Sequence, residues 1–444
     1  MTPKYRMNRR RFLKTSMTGL VGTGIVSGSD FYLPKQDPQD EKIKIKEYRT
    51  LGRTGFKVSD IGFGAGYLTN ANVLEVALDM GMNYIDTAEH YVQGQSETAI
   101  GQVIKNRDRN KFFLTTKLNM TFGGGSTQEK IKERFGKCLE RLQTDYVDCL
   151  MIHMTATIDQ VKHDEFHAVA QELKSEGKVR FIGLSNHGPE HRLHGNVQDP
   201  MENVILAAAE DGRFDMALFV YNFLQKDQGE RIIKACKVKN MGITLMKTNP
   251  VASYLSTKER FDKAIADGRQ IPERYLKMLD EYKLLIDKAE IFKRKYGLGS
   301  NEQVRDAAIK FCLSHPDVHS VCPSMNSFEE LETFVALSGE KLESSDTSML
   351  NDYEATLGHL YCRHACGICE SACPQHIPVN TIMRYDHYFQ APGREKHAML
   401  KYAKLSDANA SRCHNCAGHC VAACPYNIPI QSLLVLAHQN LTLA

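Results

Sequence analysis

The sequence of 444 residues lacks an apolar run as long as the roughly 18 residues that a membrane-spanning helix needs. It also lacks a strong excess of one charge, since 56 basic residues stand against 53 acidic ones. Six of the basic residues lie within residues 1–14, where no acid occurs, so the rest of the chain is slightly acidic. These absences argue against an integral membrane protein and against a surface that binds nucleic acid. The length allows one large globular domain and a smaller one.

The first 31 residues are basic at the start and weakly apolar thereafter. Residues 8–14 read Asn-Arg-Arg-Arg-Phe-Leu-Lys, which resembles the twin-arginine export signal R-R-x-F-L-K. The stretch that follows is too short and too polar for a membrane anchor. We therefore expect export by the twin-arginine route to the periplasm, with a disordered basic tail as the alternative interpretation. No clear A-x-A cleavage site is present, which leaves removal of the segment open, and residues 32–46 have the composition of a charged linker.

Short apolar segments alternate with amphipathic ones between residues 47 and 340. This alternation is typical of parallel β/α units. Eight candidate strands lie at Ile61–Gly64, Tyr84–Thr87, Phe112–Leu118, Tyr146–His153, Arg180–Ser185, Ala217–Tyr221, Ile243–Met246 and Ser320–Pro323. Eight such units predict a (β/α)8 barrel. A long charged insertion at residues 249–300 follows the seventh strand, and we expect it to act as a lid over the active site.

The segments between the strands show the apolar spacing of helices that face a core, and residues 127–144 show it most clearly. The apolar positions there are Ile131, Phe135, Cys138, Leu139 and Leu142. The chain has thirteen cysteines, and those that stand in apolar runs of the barrel region are expected in the core. They are Cys138, Cys149, Cys312 and Cys322.

Four chemically active side chains stand at the ends of three successive candidate strands. Asp86 and Tyr91 lie at and just after the end of the second strand, Lys117 ends the third, and His153 ends the fourth. Carboxyl ends of barrel strands meet at one face, so we expect these side chains to lie together. The pattern resembles the aldo-keto reductase family, whose D-x-A-x-x-Y motif is met by residues 86–91. The resemblance covers roughly residues 47–340 and implies an enzyme that interconverts carbonyls and alcohols.

The residue types suit that chemistry. A carbonyl that accepts a hydride also needs a proton, but a tyrosine with a pKa of about 10 is a poor acid or base at neutral pH. We predict that Tyr91 exchanges the proton, that the Lys117 cation lowers the pKa of Tyr91, and that Asp86 holds Lys117 in place. His153 would orient the substrate oxygen. The structural alternatives are a tyrosine at the core edge, an Asp–Lys ion pair and a buried histidine.

The resemblance also implies a nicotinamide nucleotide. Residues 62–66 form a glycine-rich strand end that would let the backbone approach a ligand closely, and the family's G-x-S-N motif for the nicotinamide carboxamide is met by residues 183–186. Two positions depart from many members of the family. Leu218 stands nearest to a family glutamine, and Met246-Lys247-Thr248 replaces a tyrosine that stacks on nicotinamide, which resembles the ferredoxin-linked branch of the family. The residues expected at the nucleotide are Gly64, Ala65, Ser185, Asn186, Met246, Lys247, Ser324 and Asn326.

The segment after the eighth strand bears on the choice of nucleotide. In the family a basic residue there pairs with the 2′-phosphate, but residues 324–330 contain no base. Ser327 and Glu330 instead match an S-x-x-E capping box. Without a cation near Glu330, the sequence favours NAD(H) over NADP(H).

Eight cysteines lie in two runs of a C-terminal region. They are Cys362, Cys366, Cys369 and Cys373, then Cys413, Cys416, Cys420 and Cys424. Each run ends in Cys-Pro followed by a short apolar stretch, so the region is an internal repeat. It resembles the two-cluster bacterial ferredoxin pattern C-x2-C-x2-C-x3-C-P, with one extra residue in each half. The long spacing between the runs has a helical pattern, as in helical ferredoxin modules.

This resemblance implies two [4Fe-4S] clusters, with the last cysteine of each run binding the other run's cluster. Zinc and disulfides are the alternatives that the spacing leaves open. We therefore expect residues 341–360 to connect the barrel to an iron–sulfur module at residues 361–444, and the whole chain to form a (β/α)8 barrel followed by a helical two-cluster ferredoxin-like module.

Together these patterns predict a nicotinamide-dependent oxidoreductase that acts on a small carbonyl or alcohol, such as a sugar. Its clusters would relay electrons, and a redox partner protein is one candidate for their exchange. Two alternatives remain. One is an electron-transfer or binding subunit with a non-catalytic barrel and structural clusters. The other is a redox enzyme that uses the clusters without nicotinamide.

Overall fold

The structure is a computed structural model, and it describes residues 43–121, 126–188, 199–251, 287–298, 301–390 and 394–442. The expected export segment at residues 1–31 and most of the expected linker lie outside the described residues. So does most of the insertion at residues 249–300 that the sequence suggests as a lid.

The described chain begins with a short antiparallel hairpin, β1 (Tyr48–Thr50) and β2 (Lys57–Ser59). Eight parallel strands follow: β3 (Phe63–Gly64), β4 (Tyr84–Asp86), β5 (Phe113–Leu118), β6 (Val147–Ile152), β7 (Val179–Asn186), β8 (Met216–Val220), β9 (Gly242–Met246) and β10 (Ser320–Val321). Each of the eight pairs with the next along the chain. Gly62 N donates to Val321 O at 2.8 Å and Gly64 N donates to Pro323 O at 3.0 Å, which joins the last strand to the first. The predicted eight-stranded barrel is therefore confirmed.

The barrel strands are largely buried because helices cover one face and the barrel interior covers the other. In β5 and β6 every residue is buried. The interior holds Tyr84 and Phe113, which pack with Leu51 from the hairpin. Arg53 N, also in the hairpin, donates to Asn240 O just before β9 at 2.7 Å. The hairpin thus closes the amino-terminal end of the barrel, and the carboxyl-terminal end is left for the site.

The outer layer of the barrel is helical. Its helices are α1 (Ala71–Asp79), α2 (Gln95–Ile104), α3 (Gln128–Leu142), α4 (Ile158–Val161), α5 (Asp164–Ser175), α6 (Met201–Asp211), α7 (Lys226–Val238), α8 (Glu302–Leu313) and α9 (Phe328–Val335). Residues 287–296 are helical as well. In α3 the predicted stripe faces the core, and Thr127 caps the helix by accepting a hydrogen bond from Lys130 N. The four cysteines expected in the core, Cys138, Cys149, Cys312 and Cys322, are all buried.

Five further helices complete the chain: α10 (Ser344–Leu357), α11 (Val379–Phe389), α12 (Glu395–Ala403), α13 (His419–Ala422) and α14 (Ile430–Leu441). The segment expected as a connection, residues 341–360, is thus mostly helix α10. Ile382, Tyr385 and Leu434 form a core that also takes in Phe223 and Leu224 from the loop after β8. The C-terminal region therefore packs directly on the barrel.

The two cysteine runs follow the same backbone course, as the sequence repeat predicts. Each Cys-Pro is followed two residues later by a residue with positive φ, His376 at 51° and Asn427 at 53°. A proline then precedes the first residue of α11 and of α14. Val379 N donates to Ile377 O at 2.8 Å, and Ile430 N donates to Ile428 O at 2.7 Å in the equivalent position. The repeat is therefore structural as well as sequential.

None of the helices in the described part of the chain is long and apolar enough to span a membrane. All thirteen cysteines lie within that part, and none of them is in a disulfide.

Candidate active site

Lys117 and Asp86 form a buried ion pair at the carboxyl-terminal mouth of the barrel. Lys117 Nζ donates to Asp86 Oδ1 and, at 2.8 Å, to the carbonyl oxygen of Thr87. The side chains of Lys117 and Asp86 are 0% and 6% exposed. Burial raises the pKa of the Asp86 carboxyl, and the Lys117 charge opposes that rise. The adjacent strands β4 and β5 thus bring together the two residues that the sequence pattern paired.

Tyr91 lies beside this pair, in the turn that follows β4. Lys117 Nζ is 5.2 Å from the centre of the Tyr91 ring. Burial and then the negative charge of Asp86 raise the pKa of Tyr91 well above its usual value. The sequence predicted the opposite direction, a pKa lowered by Lys117, and that prediction is wrong here because the tyrosine is buried and Asp86 neutralises the lysine. A protonated hydroxyl suits Tyr91 to donate a proton.

His153 follows β6 and faces Tyr91. Its ring centre is 5.5 Å from that of Tyr91, and it stacks on His90 with the centres 4.7 Å apart. Burial, with the positive charges of His90 and Lys117, lowers the pKa of His153 well below its usual value, so the ring is neutral. Within the described residues, its buried Nδ1 has no hydrogen-bond partner. A neutral imidazole with an uncommitted nitrogen can bind a substrate oxygen.

Ser185 and Asn186 end β7, next to His153. Ser185 Oγ accepts a hydrogen bond from Met154 N at 3.1 Å, and Asn186 Oδ1 accepts one from Gly188 N at 3.0 Å. Both side chains are buried. These contacts hold two side chains that can form hydrogen bonds with an amide at the same mouth of the barrel as Tyr91. The family resemblance predicts the nicotinamide carboxamide at this place.

The glycine-rich end of β3 packs against the last strand, where the barrel closes. A Cβ on Gly64 would lie 2.6 Å from Pro323 O, so close packing of β3 against the last strand requires glycine there. The expected close approach of a ligand at this strand end stays a prediction. Ala65 is buried, and its N donates to Asp86 O at 2.9 Å. Ser324 pairs with Gly64 across the closure.

The segment before α9 has a different charge environment from the one that the sequence suggests. Ser327 Oγ accepts from Glu330 N at 3.1 Å and so caps α9, but Glu330 Oε2 accepts from Asn326 N at 2.7 Å instead of completing the capping box. Arg394 Nη2 lies 3.9 Å from Glu330 Oε1, and its guanidinium lies 4.8 Å from the centre of the Tyr67 ring. The premise that no cation lies near Glu330 is therefore wrong in the folded chain.

Met246 ends β9, and Lys247 follows it with a positive φ of 55°. Lys247 Nζ donates to Tyr388 Oη on helix α11 at 2.5 Å. Burial, together with the charges of Arg384, Arg394 and Lys401, lowers the pKa of Lys247 well below its usual value. The residue expected at the nucleotide thus reaches the C-terminal region.

Helices α11 and α12 lie over the mouth of the barrel. Arg384 Nη1 is 3.2 Å from the carbonyl oxygen of His187, just after β7, and the ring of His397 packs edge-on against Tyr67 with centres 5.1 Å apart. Sequence reasoning missed these residues because they meet the barrel only through tertiary contacts. In the sequence, polar residues recur at helical spacing along α11 and α12, but this pattern is also typical of a solvent-exposed helix face.

Four cysteines line one small pocket in the C-terminal region: Cys362, Cys366, Cys369 and Cys424. Three come from the first run and one from the end of the second. The other four also influence one another: burial and then the charges of Cys373, Cys420 and Cys416 raise the pKa of Cys413 to about 12. Each set combines three cysteines of one run with the last cysteine of the other.

Equivalent amide side chains fasten the two halves. Asn380 is the second residue of α11, and its Nδ2 donates to Arg363 O at 2.7 Å and to Cys362 Sγ at 3.4 Å. Gln431 is the second residue of α14, and its Nε2 donates to Cys413 O at 2.8 Å. In both halves, the second residue of the helix that follows the cysteine run therefore binds the backbone at the start of that run.

Among the described residues, no three Cys, His, Asp or Glu side chains are close enough to hold one metal ion. The pocket brings together cysteines of both runs, and a cubane iron–sulfur cluster takes four cysteine ligands.

The closed parallel barrel, with an Asp–Lys pair, a tyrosine and a histidine at its carboxyl-terminal mouth, defines a (β/α)8 oxidoreductase. The sequence pattern of the Aldo/keto reductase family matches residues 62–355, and the chain belongs to that family. It is an NAD(P)-dependent oxidoreductase of the aldo-keto reductase type.

Related proteins match about two thirds of this chain. The oxidoreductase YqkF of Bacillus subtilis is 26% identical over 318 residues, 69% of this chain and 95% of its own. L-galactose dehydrogenase of Arabidopsis thaliana is 28% identical over 329 residues, 70% of this chain and 94% of its own. The holo structure of aldo-keto reductase AKR11C1 from Bacillus halodurans is 25% identical, with a TM-score of 0.49, and covers 69% of this chain and 95% of its own. The family match ends at residue 355, before the first of the eight C-terminal cysteines.

Proposed function

We propose that this protein is a nicotinamide-dependent alcohol/carbonyl oxidoreductase whose C-terminal region holds two iron–sulfur clusters. The observation that carries the catalytic part is the meeting of Tyr91, His153 and the Lys117–Asp86 pair at one mouth of the barrel. The buried Nδ1 of His153, which has no partner among the described residues, lies beside Tyr91 and suits a substrate oxygen. A non-catalytic barrel would have no need of that arrangement, which speaks against a binding or electron-transfer subunit.

In the direction of carbonyl reduction, bound nicotinamide would supply the hydride. The Tyr91 hydroxyl, protonated because its pKa is raised, gives its proton to the carbonyl oxygen. His153 holds the same oxygen through a hydrogen bond. Lys117 lies close enough to stabilise the phenolate that is left on Tyr91, and Asp86 fixes Lys117 for that role.

The nucleotide would lie along the strand ends that close the barrel. Ser185 and Asn186 would hold the carboxamide, and the other expected contacts are Gly64, Ala65, Met246, Lys247, Ser324 and Asn326. The charge argument for NAD(H) no longer stands, because Arg394 offsets Glu330 at the position where a 2′-phosphate would need a cation. Both NAD(H) and NADP(H) are therefore candidates.

For the clusters, one set of ligands would be Cys362, Cys366, Cys369 and Cys424, and the other Cys373, Cys413, Cys416 and Cys420. The shared pocket of the first set and the structural repeat support this assignment. Bound clusters would supply one-electron carriers beside the barrel. In the alternative version they only fasten the C-terminal region to the barrel.

We extend the proposal to the periplasm because residues 8–14 resemble a twin-arginine export signal. Twin-arginine export carries folded proteins, which suits clusters that are assembled before export. Outside the cytoplasm a tightly held nucleotide would have to be recycled in place, through the clusters and a redox partner protein. The electron relay is tested on protein purified from the exported fraction, to which substrate is added without nucleotide. Bleaching of the cluster spectrum by substrate alone supports the relay. An absolute need for added nucleotide, without bleaching, would show that the clusters are structural.

The catalytic proposal is tested with Tyr91→Phe, which keeps the ring and removes the proton. Turnover of a carbonyl panel should fall about 100-fold or more, while nucleotide affinity stays unchanged. Tyr48→Phe, at the opposite end of the barrel, is the control and should behave as wild type. Near-normal turnover of Tyr91→Phe would refute the assignment.

The cluster proposal is tested by metal analysis of protein purified without oxygen. We expect a brown protein with about eight irons and eight acid-labile sulfides per chain. Stoichiometric zinc without labile sulfide would contradict it.

A further inference from the structure

The first cysteine run, residues 362–373, packs directly against the residues that follow β7. Gly188 there has a positive φ of 91°, and a Cβ added to it would lie 3.1 Å from Ala365 Cα, within the run. Glycine thus lets the two backbones approach closely. Gly188 N also donates to Asn186 Oδ1 at 3.0 Å. Gly188 therefore contacts both the cysteine run and a residue that is expected at the nicotinamide carboxamide.

Asn380, at the start of α11, holds the same run through its side chain. Its Oδ1 accepts a hydrogen bond from Ala365 N at 3.2 Å, and its Nδ2 donates to Arg363 O at 2.7 Å and to Cys362 Sγ at 3.4 Å. Its backbone N donates to Glu370 Oε1 at 2.7 Å. Because Asn380 is buried, water does not replace bonds that are lost there. The position of α11 therefore depends on the conformation of the first run.

Two later residues of α11 reach strand ends of the barrel. Arg384 Nη1 donates to His187 O, just after β7, at 3.2 Å. Tyr388 Oη accepts a hydrogen bond from Lys247 Nζ, just after β9, at 2.5 Å. Asn380, Arg384 and Tyr388 stand four residues apart, which places them on one face of the helix over about 12 Å. This face of α11 therefore connects the first cysteine run to the ends of β7 and β9.

The barrel fixes the backbone of Lys247, and α11 fixes its side chain. The φ of Lys247 is 55°, which is uncommon for a residue with a Cβ and is found often at functional sites. Its carbonyl oxygen accepts a hydrogen bond from Asn222 Nδ2 at 3.0 Å. With the backbone held in this way, the hydrogen bond to Tyr388 selects one of the positions that the long side chain could take.

Both strand ends belong to the same part of the expected nucleotide site. In the sheet Asn186 pairs with Phe219, and Phe219 pairs with Leu245, two residues before Lys247. Asn186 and Lys247 thus stand two strands apart at the mouth of the barrel. The family resemblance predicts the carboxamide at Asn186 and the nicotinamide ring near Lys247. The contacts of α11 therefore lie on the two sides of the place expected for nicotinamide.

We propose that Asn380 and Tyr388 are positioning residues of the nucleotide site, and that they couple nucleotide binding to the state of the first cysteine run. This inference rests on the proposed oxidoreductase function. An ordered run keeps α11 in place, and α11 keeps Lys247 and the residues after β7 where nicotinamide binds. Coupling between two sites is reciprocal, so bound nucleotide also stabilises the run. The C-terminal region thereby completes the nucleotide site.

The first test is a fluorescence titration of NADH and NADPH into the intact protein, purified without oxygen. Tyr388→Phe keeps the ring and removes the hydroxyl, and it should weaken the binding of both nucleotides about threefold to tenfold. Tyr402→Phe is the matched control, because the buried Tyr402 hydroxyl accepts a hydrogen bond from Ala410 N at 2.9 Å within the C-terminal region. It should lower stability and leave both affinities at the wild-type value. An equal loss of affinity in the two variants would contradict a specific role of Tyr388.

A double-variant cycle separates positioning from a general loosening of the C-terminal region. Lys247→Met removes the group that Tyr388 holds. Adding Tyr388→Phe to this variant should weaken nucleotide binding by less than about twofold further. Losses that multiply would show that Tyr388 acts independently of Lys247, and would overturn its positioning role.

Asn380→Leu tests transmission along α11, because its contacts with the cysteine run lie two turns of helix from Tyr388. The binding of both nucleotides should weaken about threefold or more. Unchanged binding in this variant would show that the cysteine run and the nucleotide site are independent.

The reciprocal effect is read without turnover. Alkylation of Cys362 and Cys366, followed by mass spectrometry, reports the opening of the first run whichever metal its sulfurs hold. Saturating NADPH should slow this alkylation about threefold or more in wild type and in Tyr402→Phe, and less than about twofold in Tyr388→Phe. Equal rates with and without NADPH in wild type would overturn the coupling.

The outcomes separate this inference from the proposed function. If wild type binds nucleotide, and neither Tyr388→Phe nor NADPH has the expected effect, the coupling is wrong and the oxidoreductase function stands. If wild type binds neither nucleotide, the proposed function fails, and the inference fails with it.

Discussion

Gln225 and His364 exchange two hydrogen bonds between the barrel and the C-terminal region. Gln225 Nε2 donates to His364 O at 3.0 Å, and His364 N donates to Gln225 Oε1 at 3.1 Å. Gln225 is in the loop after β8, and His364 lies between Cys362 and Cys366. Because both residues are buried, the amide satisfies backbone groups that water does not reach. One side chain thus ties the cysteine pocket to the barrel.

Gln225→Ala should lower the free energy of unfolding by about 1–3 kcal/mol, because it leaves a buried N–H and a buried carbonyl without partners. Faster limited proteolysis within residues 361–442 should accompany the loss. Lys226→Gln is the matched control, since its ion pair with Glu354 is exposed and should contribute less than about 1 kcal/mol. Equal stability of the two variants would contradict the structural role of Gln225.

Lys117→Met should destabilise the folded protein by about 3–5 kcal/mol at pH 8, because it leaves the Asp86 carboxylate buried without its cation. Burial raises the pKa of Asp86, and loss of Lys117 raises it further, so the carboxyl protonates readily and the penalty should shrink at pH 5. Chemical unfolding at both pH values measures this. The double variant Asp86→Asn with Lys117→Met should recover part of the lost stability, and no recovery would show that the ion pair is not the cause.

Arg394→Met tests the choice of nucleotide. If Arg394 supplies the cation that residues 324–330 lack, the affinity for NADPH should fall about tenfold, while that for NADH changes less than about twofold. Fluorescence titration of both nucleotides gives the two constants. Lys396→Met, two residues later on α12, serves as the control. An equal effect on both nucleotides would assign Arg394 to packing against Tyr67 instead.

Cys424→Ser tests the pairing of the cysteines. In this variant the thiols of Cys362, Cys366 and Cys369, which share its pocket, should become open to alkylation, while Cys413, Cys416 and Cys420 stay protected. Cys373→Ser should give the reverse pattern, and mass spectrometry reads both. Exposure of the thiols of the variant's own run would show that each run binds its own cluster.

His319 predicts a pH dependence of stability at the amino-terminal end of β10. Burial lowers the pKa of His319 from 6.5 to about 4, and its Nδ1 accepts a hydrogen bond from Ile243 N at 2.9 Å. Between these values the unfolded chain takes up a proton that the folded chain does not, so stability falls as the pH drops from 6.5 to 4. The loss should reach about 3 kcal/mol by pH 4, at about 1.4 kcal/mol per pH unit.

His319→Asn keeps an acceptor for Ile243 N and removes the titration. Its free energy of unfolding should therefore fall less steeply with acid than that of wild type over the same range. Parallel pH profiles for the two proteins would contradict the shifted pKa of His319.

The barrel and the pairing at its mouth follow from local sequence. Apolar runs such as Met216–Val220 are buried on both faces, because parallel strands in a barrel have no solvent face. Strand order along the chain equals strand order in the barrel, so residues that end successive strands must meet. Asp86, Lys117 and His153 were predictable for that reason, and so was the cysteine repeat, which is read from spacing alone.

Charge and protonation at the site were decided by the tertiary structure. The direction of the pKa shift of Tyr91 depends on its burial and on which group pairs with the Lys117 ammonium. The spacing of residues in the sequence predicts neither. Arg394 reaches Glu330 across 63 intervening positions only because α12 folds back over the barrel mouth. The sequence by itself determined the type of barrel and its reactive residues, since these depend on periodicity. The position of α11 and α12 over the barrel mouth depends on the packing of distant apolar faces, which only the folded chain brings together.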